Sequence, residues 1–282
     1  MTPILIGVGV LGALGLVFGL LLTLANKVFE VPSDPKRDAV RNCLPGANCG
    51  GCGFAGCDAL ADAIIAGEAP ISACPVGGSP VADAIAEIMG VEKTPDQVRN
   101  VATVVCQGSL DRCKTKFPYH GIKDCVSAML VNDGNRACKY ACLGLGTCVK
   151  ACKFDAIHID EHSKIAKVDP EKCQSCGACV RACPKHVLSL QPETVPVRLL
   201  CRAAEEGFLV SDNCKIGCVG CEICKDACKF GALKIENHLP VFDMNKCVGC
   251  MMCAEVCPTG AIWGDFDNRQ IAEIDRDLCI GW

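Results

Sequence analysis

Cys-Val-Gly-Cys-Met-Met-Cys-Ala-Glu-Val-Cys-Pro, residues 247–258, is the stretch that decides the fold of this chain. Its cysteines are spaced C-x2-C-x2-C-x3-C-P, a run in which three thiolates hold one [4Fe–4S] cluster and the fourth reaches a neighbouring cluster. Thiolates suit iron in these clusters because they are soft, charged ligands, and the proline keeps the loop from continuing as a helix. The same run stands at residues 173–184, and its four cysteines recur without the proline at residues 218–228. The repeated run predicts a chain that folds around several iron–sulfur clusters.

Two other uses of closely spaced cysteines fit the chain less well. A disulfide framework is typical of short secreted domains with an even cysteine count, whereas this chain has 27 cysteines in 282 residues. Structural zinc prefers two C-x-x-C pairs set well apart.

Only 5% of the residues are aromatic, so an ordinary apolar core is thin and the metal is expected to supply much of the folding energy. The formal net charge of −4 argues against nucleic acid as a partner.

The first 26 residues predict a transmembrane anchor. Residues 4–25 carry no charged side chain, and a helix of that length spans about 33 Å, against about 30 Å for a bilayer core. Basic residues follow this segment, among them Lys27, Lys36 and Arg37. By the positive-inside rule, the chain is expected to cross the cell membrane once and to keep its bulk in the cytoplasm. Residues 27–41 are predicted to be a linker.

Residues 42–90 predict a small [4Fe–4S] domain of a different kind. Four cysteines there follow the spacing C-x2-C-x4-C-x16-C, and the glycines among them allow a loop to pass close to a cluster. Residues 58–67 are predicted to form a helix that ends at Gly67 and brings the chain back, so that Cys74 closes the fourth corner. A second short helix is expected at residues 80–90.

The rest of the chain contains an internal repeat. A shift of 76 residues superposes Cys125, Cys138, Cys142, Cys148 and Cys152 on Cys201, Cys214, Cys218, Cys224 and Cys228. Residues 125–195 and 196–282 therefore predict two tandem ferredoxin-like modules, each holding two clusters by crossed ligation. Four apolar stretches predict small strands: residues 156–159, 187–190, 232–235 and 261–263. Residues 91–124 are expected to be a linker or extension with extra cysteines.

One ligand is missing from the first module. Where the second copy has Cys221, the first has Leu145, so the outer cluster of the first module lacks its usual second thiolate. We expect Cys138 to replace it; the alternative is an incomplete or three-iron cluster.

Further cysteines lie outside the runs. Cys106, Cys113 and Cys125 would need one more thiol to hold a sixth cluster. The alternative is that they are buried free cysteines that act as small hydrophobic residues, which is also expected of Cys201 and Cys279.

The order of these parts resembles the B subunit of the Rnf complex over the whole chain. The most specific stretches are Leu-Pro-Gly-Ala-Asn-Cys-Gly-Gly-Cys-Gly-Phe at residues 44–54 and Cys-Leu-Gly-Leu-Gly-Thr-Cys at residues 142–148. The Rnf complex is a membrane complex that couples electron transfer between reduced ferredoxin and NAD to Na⁺ or H⁺ movement. The resemblance implies an electron-relay role and implies that the first cluster is held by Cys49, Cys52, Cys57 and Cys74. Two modules with an extension look like the longer clostridial-type form.

The combined prediction is an α+β chain with one N-terminal transmembrane helix, a small [4Fe–4S] domain and two tandem ferredoxin-like modules. Five clusters are expected, one in the small domain and two in each module. The resemblance implies as partners the other membrane and cytoplasmic subunits of an Rnf-type complex, soluble ferredoxin and membrane lipid. The candidate ligands are Cys49, Cys52, Cys57, Cys74, Cys138, Cys142, Cys148, Cys152, Cys173, Cys176, Cys179, Cys183, Cys218, Cys221, Cys224, Cys228, Cys247, Cys250, Cys253 and Cys257.

The residues predict no acid–base catalysis, because the five histidines match no carboxylate or nucleophile pattern. The isolated chain is therefore expected only to transfer electrons. Two other functions stay open at this point. One is an anchored polyferredoxin that feeds a hydrogenase or another redox enzyme, which gene neighbours would distinguish. The other is a structural or sensing iron–sulfur protein, against which low and well-spread redox potentials would count.

Overall fold

The computed structural model describes residues 2–28, 34–92 and 98–269, without the side chains of residues 2–5, 8, 10 and 26–28. In these ranges the chain has the predicted α+β character, with short helices and four two-stranded antiparallel sheets. Cys279, predicted to be a free cysteine, lies outside the described residues.

Helix α1 (Thr2–Val28) contains the uncharged segment. The side chains described within it are exposed, and those of Leu11 and Phe18 are 72% and 60% accessible. In the described parts of the chain, no helix combines the length and the apolar character that a membrane crossing requires. The prediction of a transmembrane helix is therefore not confirmed.

Three helices build the small domain that follows: α2 (Pro35–Cys43), α3 (Cys57–Ile65) and α4 (Gly78–Met89). They pack around a core in which Val40, Leu60 and Ile85 are fully buried. Helices α3 and α4 confirm the two helices predicted in this part of the chain. Helix α4 ends at Gly90, whose φ of 68° is a left-handed conformation that glycine adopts without strain.

Helix α2 occupies the second half of the segment predicted to be a linker, residues 27–41. The carboxylate of Asp34 accepts a hydrogen bond from the backbone N–H of Lys36 (2.9 Å) and caps the helix. Pro35 takes the first helical turn, where a missing N–H leaves no intrahelical bond unmade. Burial of Val40 then fixes this short helix against the domain core.

The two modules contain eight strands within the described residues: β1 (Asn100–Val104), β2 (Ile157–Ile159), β3 (Ala166–Val168), β4 (Leu188–Pro192), β5 (Val197–Leu199), β6 (Leu233–Glu236), β7 (Leu239–Phe242) and β8 (Ile262–Gly264). Strand β1 pairs with β4 around the hairpin β2–β3, and β5 pairs with β8 around the hairpin β6–β7. Strands β2, β4, β6 and β8 confirm the four predicted strands. Strand β1 lies in residues 91–124 and forms part of the first module's sheet.

Short helices place the cysteines: α5 (Cys125–Met129), α6 (Thr147–Ala151), α7 (Ala178–Ala182), α8 (Gly207–Asn213), α9 (Ile223–Ala227) and α10 (Met252–Glu255). Four of them, α6, α7, α9 and α10, follow the start of a cysteine run. Each of these four begins after a residue with left-handed backbone: Gly146, Gly177, Glu222 and Met251. The left-handed residue turns the chain from the loop of the run into the helix.

The connection between the modules is short and held in place. Strand β4 ends at Pro192 and β5 begins at Val197. The Arg198 guanidinium donates hydrogen bonds to the carbonyl oxygens of Pro192 (2.9 Å) and Glu193 (2.8 Å). The Glu193 carboxylate in turn accepts from the Arg99 guanidinium at 3.1 Å.

Candidate metal centres

The described cysteines gather into six groups, numbered in the order in which they neighbour one another. Group 1 contains Cys52, Cys57 and Cys74, with Cys49 preceding them on the same loop; group 2 contains Cys152, Cys173, Cys176 and Cys179; group 3 contains Cys125, Cys142, Cys148 and Cys183; group 4 contains Cys106, Cys113, Cys138 and Cys214; group 5 contains Cys218, Cys221, Cys224 and Cys257; group 6 contains Cys228, Cys247, Cys250 and Cys253. Two further thiols stand apart: Cys43 packs beside the core of the small domain, and Cys201 lies between groups 4 and 5.

Group 1 is formed by a glycine-rich loop, the start of α3 and the loop before α4. Burial raises the pKa of the Cys74 thiol, and the nearby thiolates of Cys57 and Cys52 act in the same direction. The Asn48 side-chain oxygen accepts a hydrogen bond from the Cys57 N–H (2.8 Å), which holds the loop against the helix. Cys49 precedes Cys52 on this loop.

Group 2 brings together cysteines from both runs of the first module, as crossed ligation requires. Burial raises the pKa of the Cys179 thiol to about 11, and the neighbouring thiolates of Cys173, Cys176 and Cys152 contribute. Three of these cysteines belong to the second run of the module and Cys152 to the first. Backbone N–H groups of Ala102 and Ala156 donate to the sulfurs of Cys173 and Cys152 at 3.4 Å each.

Group 3 contains Cys125 in the position predicted for Cys138. Burial raises the pKa of the Cys142 thiol, and the nearby thiolates of Cys125 and Cys183 act in the same direction. A cavity is lined by Cys125, Leu145 and the other three thiols of the group. The structure therefore does not bring Cys138 into this group. Leucine at residue 145 leaves the corner open, and Cys125 reaches it from the short helix α5.

A hydrogen-bonded unit holds Cys125 beside Cys148. The Cys125 N–H donates to the Thr147 hydroxyl (2.7 Å), and that hydroxyl donates to the Asp124 carboxylate (2.7 Å). Asp124 also caps α5 by accepting from the Ser127 N–H at 3.0 Å. These hydrogen bonds, led by the one from Ser127, keep the pKa of Asp124 below its ordinary value. Helix α5 is thus tied to the start of α6, which carries Cys148.

Group 4 joins residues that are far apart in the sequence. Cys113 and Cys214 face each other in an isolated antiparallel bridge, with Cys106 and Cys138 packed against them. The Cys214 thiol donates to the Cys113 sulfur and lowers the pKa of Cys113 to about 6, and the Arg136 guanidinium acts in the same direction. The set of Cys106, Cys113 and Cys125, one of the two alternatives left open by the sequence, is therefore not formed. Cys125 belongs to group 3, and the other two join Cys138 and Cys214.

Groups 5 and 6 repeat the crossed pattern in the second module. Burial raises the pKa of the Cys218 thiol to about 11, with contributions from Cys201, Cys224 and Cys257. It also raises the pKa of Cys253 to about 11, with contributions from Cys224, Cys247 and Cys250. Group 5 has its standard second thiol, Cys221, which is exposed. It also has buried Cys201 nearby, whose sulfur accepts from the Cys218 N–H at 3.3 Å.

The thiol environments fit iron–sulfur clusters. Burial raises the pKa of the Cys148 thiol to about 12, and neighbouring thiolates act in the same direction. This thiol therefore stays protonated at neutral pH until a metal cation replaces its proton. Within the parts of the chain that the structure describes, no three His, Cys, Asp or Glu side chains are arranged to hold a single metal ion. A [4Fe–4S] cluster binds one thiolate at each of its four irons.

Comparisons with known proteins agree with this arrangement. Residues 44–76 match the FeS family model for an Fe–S cluster, residues 137–187 a 4Fe–4S dicluster domain, and residues 240–263 a 4Fe–4S binding domain. The chain is 47% identical over 267 residues to the B subunit of the Na⁺-translocating ferredoxin:NAD⁺ oxidoreductase complex of Acetobacterium woodii, covering 95% of this chain and 80% of the relative. The chain belongs to the family of Rnf B subunits. It is an iron–sulfur electron-transfer component of an oxidoreductase and carries several [4Fe–4S] clusters.

Two further members of the Rnf family are similar over most of their length. The B subunit of the ion-translocating oxidoreductase complex of Methanosarcina acetivorans is 42% identical over 87% of this chain and 93% of its own. The B subunit of the proton-translocating ferredoxin:NAD⁺ oxidoreductase complex of Clostridium ljungdahlii is 41% identical over 87% of this chain and 86% of its own.

Sequence reasoning missed the placement of Cys125 and the membership of group 4. A signal for the second was present: Cys138 and Cys214 occupy equivalent places in the two copies, and neither belongs to a run. Equivalent thiols outside the runs in both copies indicate a common site. No spacing rule pointed to Cys125, because its approach depends on α5 and on Thr147.

Proposed function

We propose that this chain is the electron relay of a membrane-bound Rnf-type complex, in which electron transfer between ferredoxin and NAD drives Na⁺ or H⁺ translocation. Soluble ferredoxin, the other Rnf subunits and membrane lipid are its partners. The observation that carries the proposal is the continuous succession of cysteine groups from the small domain to the end of the second module. Groups 1, 2, 3, 5 and 6 each hold one cluster, with Cys125 as the fourth ligand in group 3.

The small domain meets the first module beside group 2. A Cβ on Gly51 would lie 2.9 Å from the Cys176 carbonyl oxygen, so the loops of groups 1 and 2 approach backbone to backbone. The Lys153 ammonium adds a hydrogen bond to the Asn48 carbonyl oxygen at 3.3 Å. This contact supports electron exchange between the small domain and the first module.

The groups are also neighbours within and between the modules. Cys179 of group 2 is among the thiolates that raise the pKa of Cys148 in group 3. Cys224 of group 5 acts in the same way on the pKa of Cys253 in group 6. The thiols of Cys106 and Cys201 lie between groups 3 and 5. Bound clusters supply one-electron transfer at each group, and the residues contribute burial and N–H donors that set their potentials.

The relay is tested in membrane vesicles that contain the complete complex. With reduced ferredoxin, the vesicles should reduce NAD⁺ and take up Na⁺ or H⁺, and Cys176→Ser in group 2 should abolish both while the complex stays assembled. Cys43→Ser is the matched control, because Cys43 belongs to no group. Undiminished NAD⁺ reduction in the Cys176→Ser complex would overturn the proposal.

We also propose that α1 anchors the chain and that its bulk faces the cytoplasm. The uncharged run of residues 4–25, the exposure of side chains such as Leu11 and Phe18, and the basic residues beyond it support this placement. An impermeant thiol reagent applied to intact cells should miss a cysteine tag placed after residue 282. Labelling from outside would refute the orientation, and full release of the chain by high-salt washing would refute the anchor.

A further inference from the structure

Group 4 lies at the junction of the two modules and takes its thiols from both. Cys106 and Cys113 precede the first module's cysteine runs, Cys138 precedes the first run itself, and Cys214 belongs to the second module. Two backbone hydrogen bonds fix the facing pair Cys113 and Cys214. Lys114 N–H donates to the Asn213 carbonyl and Lys215 N–H to the Arg112 carbonyl, at 2.9 Å each.

The four thiols converge on one place. A Cβ on Gly108 would lie 3.2 Å from Cys113 Cβ, 3.5 Å from Cys106 Sγ and 3.7 Å from Cys214 Sγ. Cys106, Cys138 and Cys214 line a common cavity. Gly108 lines it too, and because glycine has no side chain it leaves room for these thiols. The Cys106 sulfur accepts from the backbone N–H groups of Gly108 (3.4 Å) and Cys142 (3.5 Å). Such N–H donors stabilise a ligand sulfur that carries negative charge.

Arg136 supplies an independent indication that negative charge belongs in this place. Its side chain is 1% exposed, and its Nη1 donates to the carbonyl oxygens of Ser109 (3.3 Å) and Cys113 (3.4 Å). Its Nη2 is buried without a hydrogen-bond partner, and no carboxylate of the described residues forms an ion pair with it. A buried cation without a counter-charge is destabilising, so buried arginines are normally paired.

We propose that Cys106, Cys113, Cys138 and Cys214 hold a further [4Fe–4S] cluster between the two modules, with the Arg136 guanidinium as its counter-charge. A cluster bound by four thiolates is anionic, and it satisfies both the converging thiols and the unpaired cation. A hydrophobic role would explain neither the hydrogen bonds to Cys106 nor the buried charge.

The role of this cluster rests on the proposed relay function. Group 4 adjoins group 3, through the Cys142 N–H that donates to the Cys106 sulfur. It adjoins group 5 through Cys201, which shares its cavity with group 4 and receives the Cys218 N–H. The cluster would therefore pass single electrons between the modules. Each transfer oxidises one cluster and reduces its neighbour by one electron, with ferredoxin as the ultimate reductant and no bond made or broken.

Iron analysis of the purified full-length chain tests the site. Six cubes correspond to about 24 iron atoms per chain and five to about 20. Cys113→Ser and Cys214→Ser should each lose about four of these and remove the same EPR signal, whereas Cys43→Ser should lose none. About 20 iron atoms in the unmodified chain, or a Cys113–Cys214 disulfide found by thiol counting, would overturn the proposal. Loss of that signal in Cys201→Ser but not in Cys113→Ser would overturn the ligand assignment.

Arg136 gives a second test that does not remove a ligand. Arg136→Met should lower the reduction potential of one cluster or lose that cluster, because an anionic centre no longer has its counter-charge. Arg136→Lys retains the charge and should shift the potential less. Unchanged potentials and iron content in Arg136→Met would refute the pairing. If the relay function is wrong, the chain should contain six clusters that ferredoxin does not reduce. If only this inference is wrong, ferredoxin should reduce the chain but the chain should contain five clusters.

Discussion

At residue 145 the first module has leucine where the second has Cys221, and the Leu145 side chain lines the same cavity as the thiols of group 3. The Cys125 N–H is hydrogen-bonded to Thr147, which lies two residues after Leu145 on the same loop. Thr147 is in turn hydrogen-bonded to Asp124, the residue that caps α5. A thiol from a separate helix thus lies where the missing thiolate would be, and the same loop holds that helix in place. A cluster requires a thiolate at each corner and is indifferent to which part of the chain supplies it.

Cys125→Ser should remove or convert the group 3 cluster, because a serine oxygen is a harder and poorer ligand for iron than a thiolate. The double variant Cys125→Ser with Leu145→Cys should recover it, since the cysteine returns to the standard position of the run. Iron content and low-temperature EPR measure both. Equal iron in the single variant and the unmodified chain, or no recovery in the double variant, would contradict this ligand assignment.

Glycines let the cysteine loops touch the hairpins of each module. Gly144, with φ of 68°, approaches the turn between β2 and β3 so closely that a Cβ would overlap the carbonyl oxygen of Lys164. In the second module Gly220, with φ of 65°, approaches His238 in the turn between β6 and β7, where a Cβ would lie 3.0 Å from the carbonyl oxygen. The same contact in both copies packs the loops of groups 3 and 5 against the hairpins of their own modules.

Gly144→Ala and Gly146→Ala form a matched pair. Both residues have left-handed backbone, so each alanine costs about 1–2 kcal/mol in strain. Only Gly144→Ala adds an overlap with backbone, for which about 1–3 kcal/mol more is typical, because a Cβ on Gly146 would meet nothing within 4 Å. Denaturant unfolding of the cluster-loaded chain should rank Gly144→Ala clearly below Gly146→Ala. Equal stabilities would show that the hairpin moves aside.

The molecule as a whole has small apolar cores that consist partly of cysteine. The buried core of the first module includes Cys142, Cys148, Cys173, Cys179 and Cys183 beside residues such as Val187 and Leu188. The second module's core includes Cys224 and Cys253. Cysteine side chains therefore fill much of each interior, and we expect the fold to depend on what they bind.

Removal of iron should abolish cooperative unfolding of the chain. Buried thiols with raised pKa values remain neutral without metal, but they leave the irons' space unfilled and the loops without their cross-links. Calorimetry or circular dichroism of iron-loaded and iron-free chain, both kept reduced, gives the comparison. A sharp thermal transition in the iron-free chain would show that the small apolar cores suffice.

Much of this architecture follows from residue spacing, and the remainder depends on contacts between distant segments. The runs determine groups 2, 5 and 6 because crossed ligation is a local property of each module. Asp34 and Pro35 are start signals for a helix and could have predicted α2, but the polar composition of the segment favoured a linker. Strand β1 required knowledge of β4, about ninety positions away in the sequence, and group 4 required the docking of the two modules. No local pattern encodes such pairings.

Hydrogen bonds hold residues 193–196, the connection between the modules, in place. This affects what limits the rate of electron transfer between the modules. Arg198 and Arg99 hold this segment by hydrogen bonds at Pro192 and Glu193, and the backbone bridge between Cys113 and Cys214 also joins the modules. Hinge motions of domains on longer linkers take microseconds to milliseconds and make transfer wait for an encounter. Here the donor–acceptor separation is set when the chain folds, so the rate between modules should not depend on solvent viscosity. If the connection were lengthened with glycines, the distance between the modules would vary, and the rate of electron transfer would depend on how often the modules meet.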